Sequence, residues 1–98
     1  MATFLVTLHR SGPSYDPGLT LEQQTGWPEH ATFMDGLVQA GFVVLGGPLA
    51  DEHRVVLAVE AQTEQAVRQK LALDPWWLSH LVIARVEPWT IRLRREPT

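Results

Sequence analysis

The chain has 98 residues, 45% hydrophobic and 19% charged, a balance that fills one globular core and excludes a second domain and intrinsic disorder. A net charge of -3 gives no electrostatic footprint for nucleic acid, and zero cysteine excludes disulfides, thiolate metal sites and cysteine nucleophiles. No apolar run approaches the roughly 20 residues of a membrane span, and the start, Met1-Ala2-Thr3-Phe4-Leu5, lacks the marks of a secretory signal, so a cytoplasmic, membrane-free protein is expected.

Residues 3–9 are β-branched, aromatic and aliphatic and predict a first strand. Phe4, Val6 and Leu8 fall on one face, and Leu5 joins Thr3 and Thr7 on the other, so both faces need cover. Residues 10–26 carry two Pro and three Gly and predict a long loop, an uncommon and often functional element in a small domain. Trp27-Pro28 then opens a helix that runs to about Ala40, with Gly41 as its terminator. At 100° per residue Phe33, Met34, Leu37, Val38 and Gly41 share one face with His30 at its centre, whereas Asp35 turns to the polar side.

Residues 42–45 predict a short strand ended by Gly46-Gly47-Pro48, where small side chains permit a close approach. A polar tip at 49–53 leads into a strand over 54–60, antiparallel to the one before. Thr63 is an N-cap for a helix over 64–73 with Ala66, Val67, Leu71 and Leu73 as its apolar side, and Asp74-Pro75 ends it. Residues 81–86 predict a further strand, 90–93 a short extra one, and 94–98 a frayed tail.

The order β-α-β-β-α-β predicts an α+β, ferredoxin-like domain whose four-stranded antiparallel sheet carries both helices on one face. The other face would remain partly apolar, so a second copy is expected to cover it, giving a homodimer or a higher oligomer. RNA recognition on this topology uses aromatic and basic residues on the central strands, and the third strand, Arg-Val-Val-Leu-Ala-Val-Glu, has no aromatic. His9, His30, His53 and His80 stand in no zinc-site spacing, so no metal is expected. Gly46-Gly47 lacks the surroundings of a phosphate or dinucleotide loop, and no cofactor is expected either.

Four segments occur in order: Gln24-Thr25-Gly26-Trp27-Pro28-Glu29-His30, Gly41 through Leu49, Leu73-Asp74-Pro75-Trp76, and Val86-Glu87-Pro88-Trp89. Together they resemble the YciI (YCII-related) family of the dimeric α/β-barrel superfamily, over nearly the whole chain. The resemblance implies two ferredoxin-like protomers packed sheet to sheet in a barrel-like dimer, and a pocket holding a His–Asp pair, here His30 and Asp74. Its relatives include a dehydrochlorinase, muconolactone isomerases and cofactor-free monooxygenases, which share small cyclic enolic or phenolic substrates. The long loop at 10–26 and the tryptophans at 27, 76, 77 and 89 depart from the family pattern, so the substrate does not carry over.

Each candidate also has a plain structural reading. His30 is either a hydrogen-bonded core histidine or a general acid–base, and Asp74 is an N-cap for the turn at Pro75, a partner for His30, or both. Trp27 and Trp76 either pack the helix ends or wall a ring-shaped ligand. Arg10 either lies in solvent or meets a carboxylate or phenolate, and Gly47 and Pro48 would complete the small-molecule site. The reading that follows is a cofactor-free lyase or isomerase in which the His30–Asp74 pair moves a proton on a cyclic enol or phenol. A non-catalytic dimeric binding or sensor domain is the alternative, and a cofactor-free monooxygenase acting on a phenol is the third reading.

Overall fold

The structure is a computed structural model that describes residues 1–95. Its elements are β1 (Ala2–Arg10), α1 (Trp27–Gln39), β2 (Val43–Pro48), β3 (Arg54–Ala61), α2 (Glu64–Leu71) and β4 (Leu81–Pro88), with a 3-10 turn at Leu21–Gln23. The four strands form one open antiparallel sheet in the order β2-β3-β1-β4. This is a small α+β arrangement compatible with a ferredoxin-like fold.

Alternation along β1 sets the inner face. Phe4, Val6 and Leu8 are buried and stand opposite Val59, Leu57 and Val55 of β3. Leu37 of α1, Val67 and Leu71 of α2, and Trp76 join the same core, so both helices cover this face. The outer face carries Thr3, Leu5 and Thr7 opposite Glu60, Ala58 and Val56, with no helix over it. Beyond Thr7 the pairing with β4 slips by one residue at Ala84, which sets Leu81 rather than Val82 opposite Arg10.

Local sequence explains the ends of the elements. Thr63 accepts the Ala66 N–H at 3.1 Å and caps α2. Pro28 sits at the start of α1, and Phe42 N–H donates to the Leu37 carbonyl (3.0 Å) across its close at Gly41. The long connection at 10–26 is organised from within by Gln24, which is buried. Its amide donates to the carbonyls of Asp16 and Leu19 (2.6 and 3.2 Å), and its oxygen accepts the Asp16 N–H (3.1 Å).

Three sequence expectations are corrected. Gly46-Gly47-Pro48 does not end the second strand but belongs to it, because β2 is an edge strand where a missing proline N–H costs no ladder bond. Residues 90–93 form no strand: Pro88 is the last paired residue of β4, and the chain leaves the sheet after Trp89 N–H bonds to the Thr3 carbonyl (2.9 Å). Leu73 is 70% exposed, since α2 stops at Leu71 and its apolar stripe stops with it. Of the expected tail, residues 96–98 lie outside the described residues.

Gly46 shows why the small residues matter. A Cβ there would meet the Leu57 side chain and lie 3.0 Å from the Val56 carbonyl oxygen, whereas one at Gly47 would meet nothing within 4 Å. Gly46→Ala should therefore cost about 1–3 kcal/mol through overpacking, and Gly47→Ala should be nearly neutral. Urea unfolding of the two variants checks this; equal losses would contradict it.

Candidate functional site

The first helical turn of α1 follows Gly26, whose backbone is left-handed at φ +81°. A Cβ on Gly26 would come within 3.1 Å of the Trp76 indole nitrogen, so glycine is needed both for the turn and for the tryptophan's approach. That indole donates to the Thr25 carbonyl at 2.8 Å, and His30 N–H bonds back to the Gly26 carbonyl at 3.0 Å. One helical turn into α1, His30 is thereby fixed on the buried face.

From the other side, Asp74 follows α2 in the tight turn before Pro75. Its Oδ1 accepts the Trp76 N–H at 2.9 Å, an Asx-type closure. The same carboxylate receives the His30 ring at Nδ1, 2.9 Å from Oδ1 and 2.8 Å from Oδ2. An ionised carboxylate only accepts, so Nδ1 carries the hydrogen and Nε2 is the nitrogen left for chemistry. Nε2 makes no hydrogen bond to any described residue. The pair is largely dry, with side-chain exposures of 11% for His30 and 6% for Asp74. Asp74 thus fills both roles that the sequence left open, capping the turn and holding the imidazole.

Aromatic rings complete the frame. The His30 ring stacks on Trp76 with centroids 4.1 Å apart and planes 7° from parallel, and His80 stacks near Trp76 at 4.8 Å and 20°. Trp27 leans on both His30 and Trp76 at 5.9 Å. Leu78, in the left-handed region at φ +64°, turns the chain so that His80 comes back under the indole before β4 starts.

His30, Asp74, Trp27 and Trp76 line a pocket of about 500 Å³ beneath α1 and along β2, within the size range of small-molecule sites. All seven residues singled out in the sequence border it: His30, Asp74, Arg10, Trp27, Gly47, Pro48 and Trp76. The apolar wall is completed by residues such as Leu8, Met34, Val55 and Leu57. Asp35, assigned to the polar side of the helix, reaches the lining, and Val38, assigned to the apolar side, is a 53% exposed rim residue. The pocket is therefore cut across the helix face rather than along its centre. Among the described residues no group of three or more His, Asp or Glu is placed to hold a metal ion.

His80 stands behind the site, stacked on Trp76 without bordering the pocket. Its place near a strand end marks it as a hydrogen-bonded structural histidine, which the structure bears out, but nothing in the sequence announces the stacking. His80 is 4% exposed, shares a 2.8 Å hydrogen bond with Ser79 Oγ at Nδ1, and its Nε2 is buried without a partner. Burial first, and the nearby His30 second, hold its pKa below the ordinary histidine value, with Asp74 pulling the other way.

A histidine kept neutral by the fold but free to ionise when unfolded makes stability fall with acidification. The unfolded chain takes up the proton first, so stability is whole above about pH 6.5 and declines as pH falls from there toward the depressed folded value. His80→Phe keeps a stacked ring without the titration. Its urea midpoint should drop less than the wild type's between about pH 7.5 and about pH 5.5; an unchanged pH slope would contradict the assignment.

No family model, curated protein or solved structure matches the chain, so the chemistry of the site rests on its own geometry.

Proposed function

We propose that the protein is a cofactor-free lyase or isomerase, YciI-like in design, that moves a proton on a small cyclic enolic or phenolic compound. The observation that carries this reading is the His30–Asp74 pair: a carboxylate fixes Nδ1–H, the opposite nitrogen has no hydrogen-bond partner among the described residues, and His30 lines a largely apolar pocket. This is the orienting logic of a carboxylate behind a catalytic imidazole. Neutral His30 takes a proton at Nε2 from a carbon beside a carbonyl or phenol. The released C–H electron pair forms a new π bond. In an elimination that bond forms as a leaving group departs with its own pair; in an isomerisation the imidazolium returns the proton to a different carbon. Trp27 supplies a flat wall against which a ring can lie, whereas Trp76, buried with His30 and His80 stacked on it, holds the base in place.

The second part of the proposal is a homodimer. The outer sheet face carries Leu5, Val56 and Ala58 at its middle and the 66% exposed Leu45 toward its β2 edge, with Arg54, Glu60, Arg85 and Glu87 around them. An apolar centre with a charged rim suits a self-complementary contact.

Two experiments test the proposal. With a chlorinated hydroxyquinol or a cyclic enol lactone as substrate, His30→Ala should lower kcat roughly 10²–10⁴-fold, and Asp74→Asn should lower it through loss of ring orientation. Unaffected turnover in His30→Ala would remove the acid–base reading, and ligand-induced stabilisation without product would mark a binding module instead. Val56→Lys, whose side chain lies on the outer face, should convert a dimer to a monomer in light scattering with its pocket intact; a wild-type monomer would overturn the dimer.

A further inference from the structure

We infer that Arg10 anchors a carboxylate of the ligand, which makes the substrate a carboxylate-bearing ring compound held by its acid group at one end of the pocket while His30 meets its reacting carbon. The inference rests on the acid–base reading of His30 for its second half only; the anchor stands on separate observations.

Arg10 is the last residue of β1 and continues the inward register of Phe4, Val6 and Leu8, opposite Leu81. A guanidinium at the end of a core stripe must reach water or find an anion. Its backbone is tied down, with the Arg10 N–H donating to the His53 carbonyl at 2.8 Å. Its Nε is buried and has no hydrogen-bond partner, a condition that calls for an acceptor from outside the chain. No ion pair within the described residues uses it: the four pairs are His30–Asp74, Arg54–Asp51, Arg68–Glu64 and Arg85–Glu87.

The carboxylates that line the same spaces do not pair with it. Asp74 is occupied by His30 and Trp76 N–H. Asp51 accepts the backbone N–H groups of His53 and Arg54 and the Arg54 Nε, contacts that lower its pKa to about 2. Asp35, Glu22 and Glu52 border the same spaces without pairing to Arg10.

Position then gives the ligand its shape. Arg10 borders both the main pocket and a polar recess of about 380 Å³ beside the 10–26 loop, and Leu21 and Pro48 are shared between them. An anion at Arg10 would therefore sit where the apolar chamber opens toward polar surroundings, with the rest of the ligand inside. Among the described residues lining either space, Arg10 is the only Arg or Lys. One positive charge with a planar donor fork matches a carboxylate monoanion in two-point contact, whereas a phosphate dianion would call for a second cation.

Benzoate, benzamide and phenyl phosphate are the probes, titrated into the full chain while the Trp76 indole and His80 ring signals are followed by NMR. Benzoate should bind at least roughly tenfold more tightly than benzamide. Arg10→Gln should bring that ratio to about one, with Arg10→Lys between. The Trp76 and His80 signals report that each variant is folded. Equal binding of benzoate and benzamide, a preference that survives Arg10→Gln, a preference for phenyl phosphate, or no binding of either ring at millimolar concentration would each overturn the anchor. His30→Ala separates the two readings. A benzoate preference kept in His30→Ala supports the anchor whether or not turnover is lost, and lost turnover beside an unselective Arg10 overturns the anchor alone.

Discussion

The Asp74 carboxylate holds together parts of the chain that the sequence sets 44 residues apart. One oxygen closes the turn after α2 through Trp76 N–H, and both oxygens receive the His30 ring from α1. A buried carboxylate is costly unless its lone pairs are used, and here three short contacts use them. The consequence spreads outward. Trp76 is pinned by its backbone to Asp74 and by its indole to Thr25, so the end of the 10–26 loop, the first turn of α1 and the 74–80 turn form one unit. The orientation of His30 is therefore a property of the packing around it and not of its own rotamer.

Trp76 lies between two imidazoles, and the two are not equivalent. His80 is partnered only by Ser79 Oγ and is held toward the neutral form by burial, whereas His30 has a carboxylate behind it. With His80 uncharged, one face of the indole stays free of positive charge. An imidazolium formed at His30 during proton transfer then meets both the Asp74 carboxylate and the electron-rich face of Trp76, and cation–π attraction adds to the ion pair. The stack gives the proposed base a place to put the charge it acquires. The same stack ties the site to stability, because a proton on His80 would bring a charge into the buried surroundings of Trp76.

Much of this was legible in the sequence, for identifiable physical reasons. Strand alternation at Phe4, Val6 and Leu8, the Thr63 cap and the proline at the head of α1 are local signals, and local signals survive without knowledge of the fold. The juxtaposition of His30 with Asp74 is non-local, and only the resemblance to a known pattern drew them together before the geometry did. Edge position was not legible: Gly46-Gly47-Pro48 reads as a terminator until β2 is seen at the margin of the sheet. Gln24 and the stacking of His80 on Trp76 were not legible either, since a buried polar side chain inside a loop and a ring contact across a turn carry no period. Leu73 failed for the opposite reason, because the apolar pattern runs two residues past Leu71, where the helix already ends ahead of Asp74 and Pro75.

A pocket of about 500 Å³ is a large concession for a chain of 98 residues, and the edge strand shows how it is accommodated. Central strands β1 and β3 keep a continuous apolar face, with Val6 and Val59 wholly buried, so the core that stabilises the fold lies away from the opening. Space is taken instead from β2, where Gly46 receives the Leu57 side chain and Gly47 adds no side chain of its own. The wall opposite is closed by the Asp74-tied unit, whose rigidity comes from hydrogen bonds and ring stacking. Between a side-chain-poor edge and a polar clasp, the protein keeps an open chamber without thinning the packed centre of its sheet. Arg10 sits where those two constructions meet, at the last inward position of β1, and so receives neither the apolar cover of the centre nor a carboxylate from the clasp.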